Sequence, residues 1–292
     1  MTNNDIQNAY MGVSAVTKIC LGEDVVWPTT PPVYSAMPLT FEVIKNGNLL
    51  WVAEKSANTK TIQYNLNNTV WTNITSSPTR DTPPSIYLRA GDTIQFRGNN
   101  NSYANSYTEF NYFSGSTGLE LNVKGNIMSL IQDTNYSNIK NLNGSKNFYR
   151  LFQTLGIISA ENLVLAATGL TQDCYASMFT ACRKLQKAPE LPATILAANC
   201  YYGMFVDCSG LTKAPELPAA VLKTNCYRDM FKDCTSLNYI KCLATSLTGL
   251  NTLTDWVYNV SPAGTFVKHP DTAWTTGVNG IPEGWTVEDA DI

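Results

Sequence analysis

A 26-residue repeat in the second half of the chain restricts its fold more than any other feature. Residues 174–199 read CYASMFTACRKLQKAPELPATILAAN, and residues 200–225 read CYYGMFVDCSGLTKAPELPAAVLKTN. A third copy begins at Cys226 and then loses the pattern, while a weaker copy occupies residues 147–173. Because a single copy is too short to bury its own apolar side chains, we expect the copies to stack on one another.

Each copy contains two kinds of local pattern. Cys200, Met204, Phe205 and Cys208 have the spacing of one face of a short helix, so a helix is predicted in each copy. The next segment, residues 211–218, reads LTKAPELP, and its two prolines favour a short strand. Stacking then aligns three columns of identical core residues. These columns are Met178, Met204 and Met230; Phe179, Phe205 and Phe231; and Leu185, Leu211 and Leu237.

The repeat has a consensus that resembles a known family. The pattern L-x-x-A-P-x-L-P-x-x-x-L-x-x-N-C-Y-x-x-M-F-x-x-C-x-x-L is similar to the BspA-like leucine-rich repeats in surface proteins of gut Bacteroides and in the phages that infect them. The resemblance implies a short leucine-rich-repeat solenoid over residues 140–250, in a protein whose role is binding. Residues 264–287, which contain Gly, Pro and Trp, resemble the cap of such arrays, so residues 251–292 are predicted to be a C-terminal cap.

Most of the cysteines belong to the repeat. Seven of the eight lie there, at spacings of 8 or 18 residues. We interpret them as small apolar residues of the solenoid core, and a disulfide ladder is the alternative for an extracellular protein. No metal or cofactor is predicted, because the chain has no C-x-x-C pair and His269 is its one histidine.

The N-terminal 28 residues contain a smaller duplication. IQNAYMG at residues 6–12 and VTKICLG at residues 16–22 each predict a strand that ends in a glycine turn. The arrangement Y-x-G-x-x-x-V-x-K-I-x-L-G-x-x-x-V-W-P resembles a short element at the N-termini of virion proteins in phages of gut bacteria. The resemblance implies that residues 1–28 anchor the protein to a particle; the alternative is an edge hairpin that packs on the next domain. The anchoring residues would be Tyr10, Gly12, Ile19, Leu21, Gly22 and Trp27.

Residues 33–131 contain short alternating runs, such as LTFEVI and TIQYNL, separated by turn signals. This pattern predicts a β-sandwich, and the run GDTIQFR at residues 91–97 resembles a strand of sandwich modules that precede BspA-like arrays. Trp51, Trp71 and Tyr103 are candidate glycan-binding residues, because aromatic rings stack on pyranose faces. Tyr64 and the polar residues 99–102 would assist them. The alternative is that the tryptophans belong to the core and the polar run is a solvated loop.

The predicted fold is therefore mostly β with short helices. It comprises an N-terminal strand-turn anchor, a β-sandwich, a short leucine-rich-repeat solenoid and a C-terminal cap.

Charge and motif content disfavour several functions. A net charge of −3 with 15% charged residues offers no basic surface for nucleic acid, and no apolar run reaches the length of a membrane span. The first ten residues lack the apolar centre of a secretion signal. A serine-histidine catalytic site is not expected, because the chain has no G-x-S-x-G turn to accompany His269. Glu190 and Glu216 could be read as the paired carboxylates of a glycosidase, but they match because the repeat copies them. We therefore do not expect an enzyme.

Two functions fit these observations. The first is a phage virion structural protein, either a head fibre that decorates the capsid or a tail appendage. It would be a homotrimer, bound to capsid or tail proteins through its N-terminus, with a repeat tip that contacts a host surface protein or polysaccharide. The alternative is a leucine-rich-repeat adhesin on a bacterial cell surface.

Overall fold

The computed structural model describes residues 19–21, 24–27, 33–78 and 82–292. Strands dominate these residues, which confirms the prediction of a mostly β fold. Their helices are single 3-10 turns of three or four residues, at Tyr34–Ala36, Ser56–Asn58, Ile127–Leu130 and Tyr136–Asn138. None of the helices in the described residues has the length and hydrophobicity that crossing a bilayer requires.

The first two strands form an antiparallel pair of their own. They are β1 (Ile19–Leu21) and β2 (Asp24–Trp27), with Leu21 opposite Asp24.

The strands between residues 39 and 126 form two sheets. These strands are β3 (Leu39–Lys45), β4 (Gly47–Ala53), β5 (Thr61–Leu66), β6 (Thr72–Thr75), β7 (Ser85–Leu88), β8 (Thr93–Arg97), β9 (Ala104–Ser106), β10 (Glu109–Gly115) and β11 (Glu120–Asn126). One sheet has the strand order β7-β4-β10-β9. The other has the order β12-β11-β3-β8-β5-β6, in which β12 (Ile157–Val164) comes from the first copy of the repeat and runs parallel to β11.

Aromatic side chains fill the space between the two sheets. The ring of Phe113, in the four-stranded sheet, lies 5.1 Å from Phe41 and 4.7 Å from Phe96, which both belong to the six-stranded sheet. Phe152, from the first copy of the repeat, packs 5.9 Å from Phe41. The sheets therefore face each other, and their core continues into the repeat without an intervening gap.

The predicted helix in each copy is wrong, because the chain forms consecutive turns there. Asp173, Ser177 and Ala181 have positive φ, so every fourth residue interrupts a right-handed helix. Alternate N–H groups donate to the next copy: the N–H of Phe179 donates to the carbonyl of Met204, 25 residues further along, at 2.9 Å. The N–H groups between them close local turns. A helix would instead direct each N–H to the carbonyl four residues earlier.

This run of turns recurs further than the sequence identity does. Its positive-φ residues are Lys146, Arg150 and Thr154; Asp173, Ser177 and Ala181; Asn199, Gly203 and Asp207; Asn225, Asp229 and Asp233; and Asn251, Asp255 and Asn259. The last run lies in the segment that the sequence assigned to the cap. There the ring of Trp256 lies 6.4 Å from Tyr227 and 6.2 Å from Phe231, so one indole covers both Tyr227 and the last ring of the phenylalanine column.

The columns of the repeat are fully buried. The rings of Phe152, Phe179, Phe205 and Phe231 follow one another at 5.4, 5.5 and 5.8 Å. The side chains with no exposed surface include all members of the three predicted columns: Met178, Phe179, Leu185, Met204, Phe205, Leu211, Met230, Phe231 and Leu237.

On the other side of each copy, short extended segments form a ladder. Single-residue parallel bridges connect Ser159 to Lys187, Lys187 to Lys213, and Lys213 to Tyr239. The ladder continues as the parallel strands β13 (Tyr239–Cys242), β14 (Thr265–Lys268) and β15 (Thr286–Asp289). The outer face of this ladder carries the candidate site.

Candidate functional site

A groove of about 940 Å³ runs across the outer face of the ladder. Equivalent residues of successive copies line it, so the repeat itself builds the groove. The residues that define it are Glu161, Lys187, Ala188, Glu190, Pro192, Thr212, Lys213, Pro215, Glu216, Pro218, Tyr239 and Lys241.

The K-A-P-E-L-P sequence explains this shape. Ala214 is buried, so the preceding Lys213 points outward from the ladder. Pro215 has no N–H to donate, and the ladder resumes at Leu217, whose N–H donates to the carbonyl of Lys241 at 3.0 Å. Three residues therefore lie between Lys213 and Leu217, whereas two lie between their bridge partners, Tyr239 and Cys242. The extra residue pushes Pro215 and Glu216 outward as a wall of the groove.

Two ion pairs flank the centre of the groove. The Lys187 ammonium lies 2.8 Å from Glu161, and the Lys241 ammonium lies 3.1 Å from Glu216. Between them, Lys213 places its ammonium 4.8 Å from the centre of the Tyr239 ring. Because the two pairs are exposed, each contributes less than about 1 kcal/mol to stability. Their main effect is to neutralise four of the charges in the groove.

The arrangement suits a ligand recognised by side chains. Alanine and proline residues supply apolar surface, while lysine, glutamate and tyrosine supply polar groups. Lys187 and Lys213 each bridge to a neighbour on both sides, so the ladder presents a sheet face here and not an open edge. An extended peptide that adds as a further strand would find no edge within the groove.

The glycan site predicted on the sandwich is wrong for two of its three residues. Trp51 is 1% exposed and its indole N–H donates to the carbonyl of Lys60 at 2.8 Å. Tyr103 has no exposed surface and its hydroxyl donates to the carbonyl of Leu130 at 2.7 Å. Both rings fill the space between the sheets, as the core interpretation expected. Trp71 is half-buried, and the Arg97 guanidinium lies 4.2 Å from its ring centre.

The predicted anchoring residues fall at the edge of the described chain. Ile19 and Leu21 belong to β1, and Trp27 belongs to β2. Tyr10, Gly12 and Gly22 lie outside the described residues. Particle anchoring therefore stays a prediction.

The repeat cysteines are core residues, as interpreted from the sequence. All seven are buried free thiols: Cys174, Cys182, Cys200, Cys208, Cys226, Cys234 and Cys242. Those of Cys182, Cys208 and Cys234 donate to the carbonyls of the phenylalanines in the preceding copy, at 3.0 to 3.1 Å. Burial raises the pKa of Cys226 to about 11 and the pKa of Cys242 to about 12.

His269 and Asp92 form local hydrogen bonds. The half-buried His269 accepts a hydrogen bond at Nδ1 from the N–H of Asp271, at 3.2 Å. Asp92 accepts hydrogen bonds from the Arg89 N–H and from the Asn67 amide, and these two bonds hold the pKa of its carboxyl below the usual value. In the described parts of the chain, His, Cys, Asp and Glu side chains form no group of three that would hold a metal ion.

Sequence reasoning identified the exposed Glu190 and Glu216 as one column but missed the lysines beside them. Lys187 and Lys213 occupy the same position of the repeat, 26 residues apart, and this identity was the available signal. Tyr239 and Lys241 lie where the repeat loses its pattern, so their place in the groove needed the structure.

Comparison with known proteins finds no relative: no family model, no curated protein and no solved structure matches the chain.

Proposed function

We propose that this chain is a phage virion structural protein, a head fibre or tail appendage that attaches to the host surface through the groove of its repeat. In this proposal the two facing sheets are the β-sandwich, and the stacked copies are a leucine-rich-repeat solenoid with a C-terminal cap. The protein acts by binding and not by catalysis. It assembles as a homotrimer and joins capsid or tail proteins through residues 1–28.

The observation that carries the attachment role is the groove itself. It is open, it is built from several copies of the repeat, and its walls combine apolar surface with charged groups. The repeat resemblance to surface proteins of gut Bacteroides and their phages supports the choice of a host surface as the target. The N-terminal motif supports the choice of a particle as the carrier.

Filling the groove tests the attachment role. Thr212 lines the groove and is exposed, so Thr212→Trp places an indole where a ligand would lie. Thr224 is also exposed but lies outside the groove, and Thr224→Trp is the matched control. We expect the full-length Thr212→Trp protein to lose binding to host cells, while Thr224→Trp binds as wild type does. Equal binding by both variants would reject the groove as the attachment surface.

Purified particles test the carrier. Mass spectrometry should detect the chain among the structural proteins, and a reconstruction of the particle should show density that joins residues 1–28 to capsid or tail protein. Recovery of the chain from the bacterial envelope, and not from particles, would favour the adhesin alternative. Light scattering of the isolated protein at three times the monomer mass would support the homotrimer.

A further inference from the structure

Four of the six charged side chains in the groove form ion pairs with one another, and two do not. Glu161 is paired with Lys187, and Glu216 is paired with Lys241. Lys213 and Glu190 form no ion pair with any residue that the structure describes, and both side chains are exposed. One ammonium and one carboxylate are therefore available to a ligand.

Lys213 occupies the centre of the ladder. It bridges to Lys187 on one side and to Tyr239 on the other, and its ammonium lies 4.8 Å from the centre of the Tyr239 ring. An aromatic ring attracts a cation without taking its hydrogen-bond donors. The ammonium is thus held in place with its donors free, which favours an anionic group of the ligand at this point.

The surroundings favour a sugar over a peptide. Ala188, Pro192 and Pro218 present C–H surface of the kind that packs against a pyranose ring. Glu190, as a carboxylate, accepts hydrogen bonds only, and sugar hydroxyls are suitable donors. Because Lys187 and Lys213 bridge to a neighbour on both sides, a peptide has no strand edge to pair with in the groove.

We propose that the groove binds an acidic oligosaccharide, with a sugar carboxylate paired to Lys213 and sugar hydroxyls donating to Glu190. This inference rests on the proposed attachment role and names its ligand class. Both uronic acids and sialic acids carry the required carboxylate on a pyranose ring.

Binding of polysaccharides to the full-length protein tests the proposal. The probes are a polyuronate, the same polymer after reduction of its carboxyl groups, and a sialylated glycan with its desialylated form. The variant is Lys213→Gln. Its control is Lys223→Gln, which removes the same charge from an exposed lysine outside the groove.

We expect wild type to bind at least one acidic probe more tightly than its neutral form. Since a charge-assisted hydrogen bond contributes about 1.5–3 kcal/mol, Lys213→Gln should weaken that binding roughly 10-fold or more. Lys223→Gln should leave it unchanged, and neither variant should alter binding to the neutral forms. The acidic probe that binds shows whether the sugar that supplies the carboxylate is a uronate or a sialate.

Two results would overturn the acidic ligand. One is that wild type binds each acidic probe no more tightly than its neutral form, or binds none of the probes. The other is unchanged affinity in Lys213→Gln. If host-cell binding is nevertheless lost in Thr212→Trp, the attachment role stands and only the ligand class fails. If wild type does not bind host cells, the attachment role fails.

Discussion

Tyr107 donates its hydroxyl hydrogen to the buried carboxylate of Asp173, at 3.0 and 3.1 Å from the two carboxylate oxygens. Tyr107 lies in the turn between β9 and β10, while Asp173 begins a run of turns in the repeat. Lys146 completes the contact, since its ammonium lies 3.3 Å from Asp173 and 4.5 Å from the Tyr107 ring centre. This contact connects the strands of the N-terminal half to the stacked copies.

Removal of the Tyr107 hydroxyl should destabilise the protein. Tyr107→Phe leaves a buried carboxylate with fewer partners, and we expect the free energy of unfolding to fall by about 1 kcal/mol. Urea denaturation measures the change. Tyr87→Phe is the control, because Tyr87 is equally exposed and its hydroxyl has no hydrogen-bond partner among the described residues. An equal effect of both substitutions would show that the Asp173 contact does not contribute.

The repeat shows what a sequence can and cannot predict. Identical residues 26 positions apart, such as Phe179 and Phe205, predict columns because only stacking can bury all of them. The local structure is another matter, since apolar residues at i, i+4, i+5 and i+8 suit both a helix and a run of four-residue turns. Ser177 and Ala181 decide between the two, because both have positive φ, and neither residue type predicts positive φ. The fifth run, around Trp256, keeps only Asn251 and Asp255 in common with the copy before it, which is too little sequence identity to predict it.

The candidate site was less predictable than the core. Trp51 and Tyr103 met the criterion for sugar stacking by residue type, but type does not say which face of a sheet a ring occupies. Alternation along β4 places Trp51 inward, beside Phe113 at 4.7 Å. The groove depends on pairing between copies, which brings Lys213 next to Tyr239. Only the structure provides that pairing.

The buried thiols should resist modification in the native protein. Burial raises the pKa of each repeat cysteine, which keeps the thiolate, the reactive form, scarce at neutral pH. A Cys20→Ser background removes the one cysteine outside the repeat. In that background we expect Ellman's reagent to label no thiol in native buffer and all seven in urea. Labelling at the same rate in both conditions would contradict the buried columns.

The same thiols should make stability depend on alkaline pH. Burial raises the pKa of Cys242 from 9.0 to about 12, so the folded state keeps its proton where the unfolded chain has lost it. This stabilising contribution is complete below the unfolded pKa and is lost as pH rises from about 9 towards 12. The free energy of unfolding, measured in urea from about pH 8 to about pH 10.5, should decline. In Cys242→Ala the free energy of unfolding should decline less steeply with pH than in wild type. An identical slope in the two proteins would show that this thiol does not contribute.

A single glycine substitution can distinguish the run of turns from a helix. Ala181 has a φ of 60°, and its N–H donates to the carbonyl of Val206 at 2.7 Å. A Cβ in this left-handed region costs roughly 1 kcal/mol, so Ala181→Gly should raise the free energy of unfolding by up to about that amount. Later copies place Asp207 and Asp233 here, also at positive φ.

The control for this substitution is Ala198→Gly, at a half-buried position outside the left-handed region. It should lower the free energy of unfolding by about 0.5–1 kcal/mol, because glycine adds freedom to the unfolded chain. Urea denaturation compares the two variants with wild type. If residues 173–181 formed a helix, both glycines would be destabilising, since glycine in a helix interior costs about 1 kcal/mol. Opposite signs at Ala181 and Ala198 are therefore the specific outcome that the positive φ requires.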